Sequence, residues 1–219
     1  MTKAWRVLTI SLFILLLGGC QVAKVETISQ AELSQLTNNN IRDYNKLACS
    51  EQDKHEVMAL PSSPLQKRVD RLVKVFPTNI NNTPITYRVY LNTVPTAWAS
   101  LNGCVRINSG LINMLDDNEL QAVIAHEVGH IVLKHSISAF KNAKVAEVNT
   151  TTGKIMLINE QTLVWEQEFA ADQYAYTFFE ESHFDTDAII SMLSKLGNYQ
   201  KTNNSAYPDI ALRKEKLSK

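Results

Sequence analysis

The chain has 219 residues, with 22 basic and 22 acidic side chains and no formal net charge. No basic patch stands out, which excludes nucleic acid as a partner class. None of the three cysteines lies in a paired Cys motif, which argues against a cysteine-held metal.

The N-terminus reads as a targeting segment. Lys3 and Arg6 form a positive n-region, and residues 7–17 are apolar apart from Thr9 and Ser11. That run is too short for a membrane-spanning helix. It ends Leu17-Gly18-Gly19-Cys20, and small residues just before a Cys look like a bacterial lipobox, with Cys20 lipidated as the first mature residue. Residues 1–19 are therefore expected to be a lipoprotein signal peptide, 20–40 a lipidated tether and 41–219 the folded domain. Gln21, where an Asp would retain the protein at the inner membrane, points to the outer membrane, facing the periplasm. Acyl chains keep a soluble domain at a membrane without a spanning helix. Removing residues 1–19 takes away two basic residues and no acid, leaving 20 bases against 22 acids, a net charge of −2. In an oxidising compartment the remaining Cys49 and Cys104 are a candidate disulfide.

Downstream, residues 41–58 read as a helix, Pro61-Ser62-Ser63-Pro64 as a break, and residues 65–76 as a second helix with Val69, Leu72, Val73 and Phe76 on its apolar face. Residues 77–84 are a polar turn region. Residues 85–91 alternate with strand period, and Asn102-Gly103 between residues 96–101 and 105–108 signals a hairpin. Residues 96–101 could form an edge strand for an extended peptide, with Trp98 in a side-chain pocket or, more simply, in the core. A long helix, a variable segment near 140–160 with a turn at Thr150-Thr151-Thr152-Gly153, and three further helices follow. The order is α+β, mainly helical, with a small antiparallel sheet before the long helix.

That long helix carries His126-Glu127-Val128-Gly129-His130, an H-E-x-x-H pattern. Two histidines four residues apart on a helix project from one face, so both can reach a single Zn²⁺. Glu127 points elsewhere around the helix, as suits a general base that is not a ligand. Asp116 as N-cap with Glu119 at N3 forms a capping box. Leu120, Val123, Ile124, Ile131 and Val132 supply an apolar face. Gly129 costs about 1 kcal/mol relative to Ala, which close approach of another backbone would explain.

A catalytic zinc usually has three protein ligands and an open position. His135 is nine residues after His126 with no glycine between His130 and His135, which argues against a third His in that stretch. Glu168 and Asp172 share a face of a later helix, with the small Ala170, Ala171 and Ala175 allowing close approach to the first. Glu168 is read as the third ligand and Asp172 as the acceptor that orients a ligating imidazole. Arg213 is the first choice of donor for the oxyanion.

Asn118-Glu119-Leu120 leading into residues 126–130, followed by Glu168 and Asp172, resembles the HtpX-type zinc metallopeptidases, a gluzincin family, and especially its bacterial lipoprotein members. Residues 85–90, 102–106 and 109–111 carry the same similarity. The resemblance implies a zincin-like fold and one catalytic zinc on His126, His130 and Glu168, with Glu127 as base. It also implies an endopeptidase acting on unfolded or misassembled envelope proteins. Envelope proteases or chaperones are the partners such a lipoprotein would meet. The family's C-terminal His-Pro pair is replaced by Tyr207-Pro208, with Arg213 retained. The rival readings are a non-catalytic zinc lipoprotein that binds envelope assembly partners and a zinc amidase acting on cell-wall peptides.

Overall fold

The computed structural model describes residues 25–149, 151–200 and 208–217. The expected signal peptide, Cys20, Gln21 and Tyr207 lie outside the described residues.

The described residues open with strand β1 (Val25–Ser29) and the helices α1 (Gln30–Gln35) and α2 (Asn38–His55). Both helices begin on a capping box, Ser29 with Glu32 and Thr37 with Asn40. These residues correct the expected tether. From Val25 onward the segment is folded, because β1 pairs antiparallel with a strand more than a hundred residues later.

Helix α3 (Pro64–Leu72) starts with Pro in its first turn behind a Ser63 cap. The two-residue strands β2 (Asn79–Ile80) and β3 (Thr83–Pro84) follow, then β4 (Thr86–Tyr90), β5 (Ala97–Ala99) and β6 (Cys104–Asn108). The Asn102-Gly103 hairpin is present, with Gly103 at φ +84° and β5 antiparallel to β6. β4 lies on the other side of β6 and runs parallel to it, so this sheet is mixed. β5 is thus an edge strand.

Helices α4 (Ser109–Met114), α5 (Asp117–Val132) and α6 (His135–Asn142) come next. The Asp116 side chain accepts from the Glu119 N–H at 2.9 Å, and Glu119 accepts from the Asp116 N–H at 2.8 Å. Glu119 also accepts from Ser191 and Lys195, at 2.6 Å each, which ties the start of α5 to a later helix. The chain then forms the hairpin β7 (Val145–Asn149) and β8 (Ile155–Ile158), and the helices α7 (Gln161–Glu181), α8 (Asp187–Gln200) and α9 (Ile210–Leu217).

Two cores result. The larger joins α3, the mixed sheet, α5, α7 and α8 through residues such as Val89, Ile107, Leu120, Ile124, Phe179 and Leu193. The smaller joins β1, α1, α2, α6 and β7 through Ile28, Leu33, Ile41, Phe140, Ala146 and Val148. Between them, Cys49 of α2 and Cys104 of β6 are disulfide-bonded, with Cα atoms 6.5 Å apart. Arg106 spans the same seam, donating to Asp53 through Nε and Nη2 at 2.8 Å each. At the hairpin tip Gly153 has φ +69°, and a Cβ there would sit 2.5 Å from Glu51 Cβ. Only glycine lets the tip lie this close on α2.

Candidate metal centre

Helices α5 and α7 carry the site. A Cβ on Gly129 would lie 3.0 Å from the Tyr174 ring. The expected backbone contact is therefore a side-chain contact: Tyr174 of α7 lies against the space that Gly129 leaves open. Ala171 and Ala175 of α7 are fully buried, as close helix approach requires.

The approach brings His126, His130 and Glu168 together. His126 Nε2 is 3.0 Å from His130 Nε2 and 3.4 Å from Glu168 Oε2, and His130 Nε2 is 3.6 Å from Glu168 Oε1. All three side chains are largely shielded from solvent. A tetrahedral ion with bonds of ~2.0–2.2 Å holds its ligand atoms about 3.3–3.6 Å apart, so these donors fit one small divalent cation. Among the described residues this is the group placed to hold a metal.

Each histidine is oriented through its other nitrogen. His126 Nδ1 donates to Asp172 Oδ1 at 2.9 Å. Asp172 is in turn forked by Arg213, which donates through Nε to Oδ2 at 2.7 Å and through Nη2 to Oδ1 at 2.6 Å. This revises the expected role of Arg213. Its guanidinium is turned onto Asp172 and lies 3.4 Å from Glu168, which makes it a positioning residue instead of an oxyanion donor. The segment around Tyr207 and Pro208 signalled only the position of this arginine; its partner lies 41 residues upstream.

His130 Nδ1 lies 2.8 Å from Nδ1 of His135, at the start of α6. Sequence reasoning weighed His135 only as a ligand. In a continuous helix, five residues rotate a side chain ~140° away from the starting one. Here α5 ends at Val132 and Lys134 adopts φ +58°, which swings His135 back. A lysine in the left-handed region carries no sequence signal for this turn.

The charges follow from burial and pairing. Burial opposes charge on His126, but Asp172 and Glu168 outweigh it and lift its pKa to about 10. Burial, and then the nearby His126, drive His130 down to about 3. Burial likewise holds His135 at about 4. Burial pushes Glu168 and Asp172 upward, yet their cationic neighbours hold each at about 2. For Glu127 burial dominates and raises the pKa to about 7.

His126, Glu127, His130 and Glu168 line a cleft of ≈ 420 Å³ that β5 with Trp98 also borders, together with Gln52 of α2, His135 and Phe140 of α6, and Ile155 and Leu157 of β8. Trp98 is partly exposed there and is not a core residue.

Residues 59–163 match the sequence model of Peptidase family M48. Over that stretch, just under half of the chain, the sequence is similar to the M48 peptidases. It is 38% identical over 124 residues to metalloprotease YcaL of Escherichia coli (strain K12), a match covering 57% of this chain and 46% of YcaL. It is 28% identical over 213 residues to metalloprotease LoiP of the same organism, covering 89% of this chain and 81% of LoiP. A protease HtpX homolog of Campylobacter hominis is 26% identical over 171 residues, covering 61% of this chain and 59% of that protein. The match to YcaL thus spans about half of that relative's length. The family match ends at residue 163, before Glu168, so Glu168 is placed at the centre by geometry.

Proposed function

We propose that this chain is a zinc-dependent endopeptidase of the bacterial cell envelope. It would hydrolyse peptide bonds of unfolded or misassembled envelope proteins, held by lipid on Cys20 at the outer membrane and facing the periplasm. The observation that carries the reading is the convergence of His126, His130 and Glu168 beside a buried, protonatable Glu127 on the floor of an open cleft. The similarity to YcaL and LoiP, both metalloproteases, supports it. The lipobox-like Leu17-Gly18-Gly19-Cys20 supports the anchor.

Two imidazoles and one carboxylate are a donor set that suits zinc. When bound, zinc supplies Lewis acidity, polarising a peptide carbonyl and acidifying water. The chain's own residues do the rest. Glu127, with a pKa near neutrality, accepts a proton from the attacking water and passes it to the departing amine. Asp172 and Arg213 hold His126 in one tautomer. The free edge of β5 offers backbone N–H and C=O groups that an extended chain of any sequence can pair with. That mode of recognition suits unfolded substrates.

The test is zinc content and casein digestion for the wild type and Glu127→Gln. The variant is expected to retain zinc and lose turnover by at least about 100-fold. Turnover near that of the wild type would end the mechanism, and a wild-type protein that binds no zinc would end the reading.

A further inference from the structure

We propose that His135 is a positioning residue of the metal centre, the acceptor that fixes the ring of His130. The proposal rests on the zinc reading above and adds a residue to it. His126 has a charged orienting partner, Asp172, whereas His130 has His135, with the two Nδ1 atoms 2.8 Å apart. A bond between two ring nitrogens needs one N–H and one bare nitrogen. His130 can present a bare Nε2 to His126 and Glu168 only if its own proton is on Nδ1. His135 Nδ1 then accepts that proton's hydrogen bond, and His135 carries its proton on Nε2.

The resulting chain of bonds has one direction. His126 donates from Nδ1 to Asp172, and His130 donates from Nδ1 to His135. Both rings therefore turn Nε2 toward Glu168, at 3.4 Å and 3.6 Å. Were His135 to donate instead, the proton of His130 would move to Nε2 and stand between the ring and any cation.

The fold spends structure on this contact. Helix α5 stops at Val132, and Lys134, a residue with a Cβ, takes φ +58° without a side-chain cap hydrogen bond. Such a conformation costs on the order of 1 kcal/mol. The break restarts the chain as α6 with His135 as its first residue. Its ring packs edge-on against His130, centroids 4.8 Å apart, and its backbone carbonyl accepts from Gln167 Nε2 at 3.3 Å. Gln167 directly precedes Glu168, so the same turn is tied to the helix that carries the third ligand. His135 is 9% exposed, and its ring is held against that of His130.

The experiment measures zinc affinity by competition with a fluorescent chelator at fixed neutral pH, and the visible spectrum of the Co²⁺-loaded protein. His135→Phe keeps a ring but has no acceptor, while His135→Asn places an amide oxygen near the position of Nδ1. The Phe variant is expected to bind zinc about 10–100-fold more weakly, with a displaced Co²⁺ band, and the Asn variant to recover to within about threefold of wild type. Zinc affinity of the Phe variant within about twofold of wild type would overturn the proposal, as would an Asn variant no better than Phe. Circular dichroism checks folding. If Phe does not fold, His135→Ala replaces it and the same comparison with Asn decides. A wild-type protein that binds no zinc overturns the zinc reading and this proposal together, whereas zinc-binding wild type with an unaffected Phe variant overturns this proposal alone.

Discussion

The two cores do different work and are held by different means. The larger carries every side chain of the metal centre except His135, and it is knit from within by long helices, buried aliphatics and the Arg213–Asp172 fork. The smaller forms a wall of the cleft through α2, α6 and β8, and it joins the start of the described chain to a hairpin more than a hundred residues on. Such a long-range closure is entropically costly. The smaller core offsets that cost with covalent, ionic and glycine-dependent contacts: the disulfide, Arg106 on Asp53, and Gly153 on α2. The difference teaches that the chemistry sits where packing is dense, while the shape of the cleft depends on a lighter, stapled wall.

The sharpest way to break this picture is at the fork. Arg213→Met leaves the buried Asp172 with only its bond from His126, and the expected loss is about 3–5 kcal/mol, read by urea unfolding. A loss under about 1 kcal/mol would mean the larger core does not depend on the pair.

The next test strikes the other core. Replacing Cys49 and Cys104 together by Ser should cost about 2–4 kcal/mol, since the bridge closes a long loop. Hydrogen exchange should rise in α2 and the β7–β8 hairpin while the centre of α5 stays protected. Equal deprotection of α5 would erase the distinction between the cores.

The smallest expected effect lies at the seam and depends on pH. Burial pushes Asp53 upward, but bonds from Arg106 and Tyr90 prevail and lower its pKa. A carboxylate depressed in the folded state contributes stability that is present above its unfolded pKa of ~3.9 and is lost as pH falls through the folded value. Asp53→Asn should therefore flatten the acid side of the stability curve below about pH 4 and remove a small constant amount above it. A variant whose acid limb overlays that of the wild type would show that Asp53 does not couple the two cores to pH.

Much of the centre was legible because it rests on local periodicity. The capping box at Asp116 and Glu119, the four-residue spacing of His126 and His130, and that of Glu168 and Asp172 are all helix properties. The hairpin at Asn102-Gly103 was equally local. What escaped is non-local. β1 is a five-residue strand with one buried side chain, Ile28, and its partner β7 is far along the chain. The parallel pairing of β4 with β6 also skips a neighbour in sequence. His135 depends on a backbone reversal at Lys134 that no residue type announces. Arg213 was found by position, but its direction is set by Asp172, which burial leaves with no solvent to turn to.

Because β1 begins its pairing at Val25, only four residues separate it from Cys20. A fully extended chain gains at most ~3.6 Å per residue, so with Cys20 acylated the leash is about 18 Å at its longest. Such a molecule could not roam the compartment. It would patrol a thin layer at the bilayer surface, and proteins arriving at that surface in an extended state would be the ones within its reach.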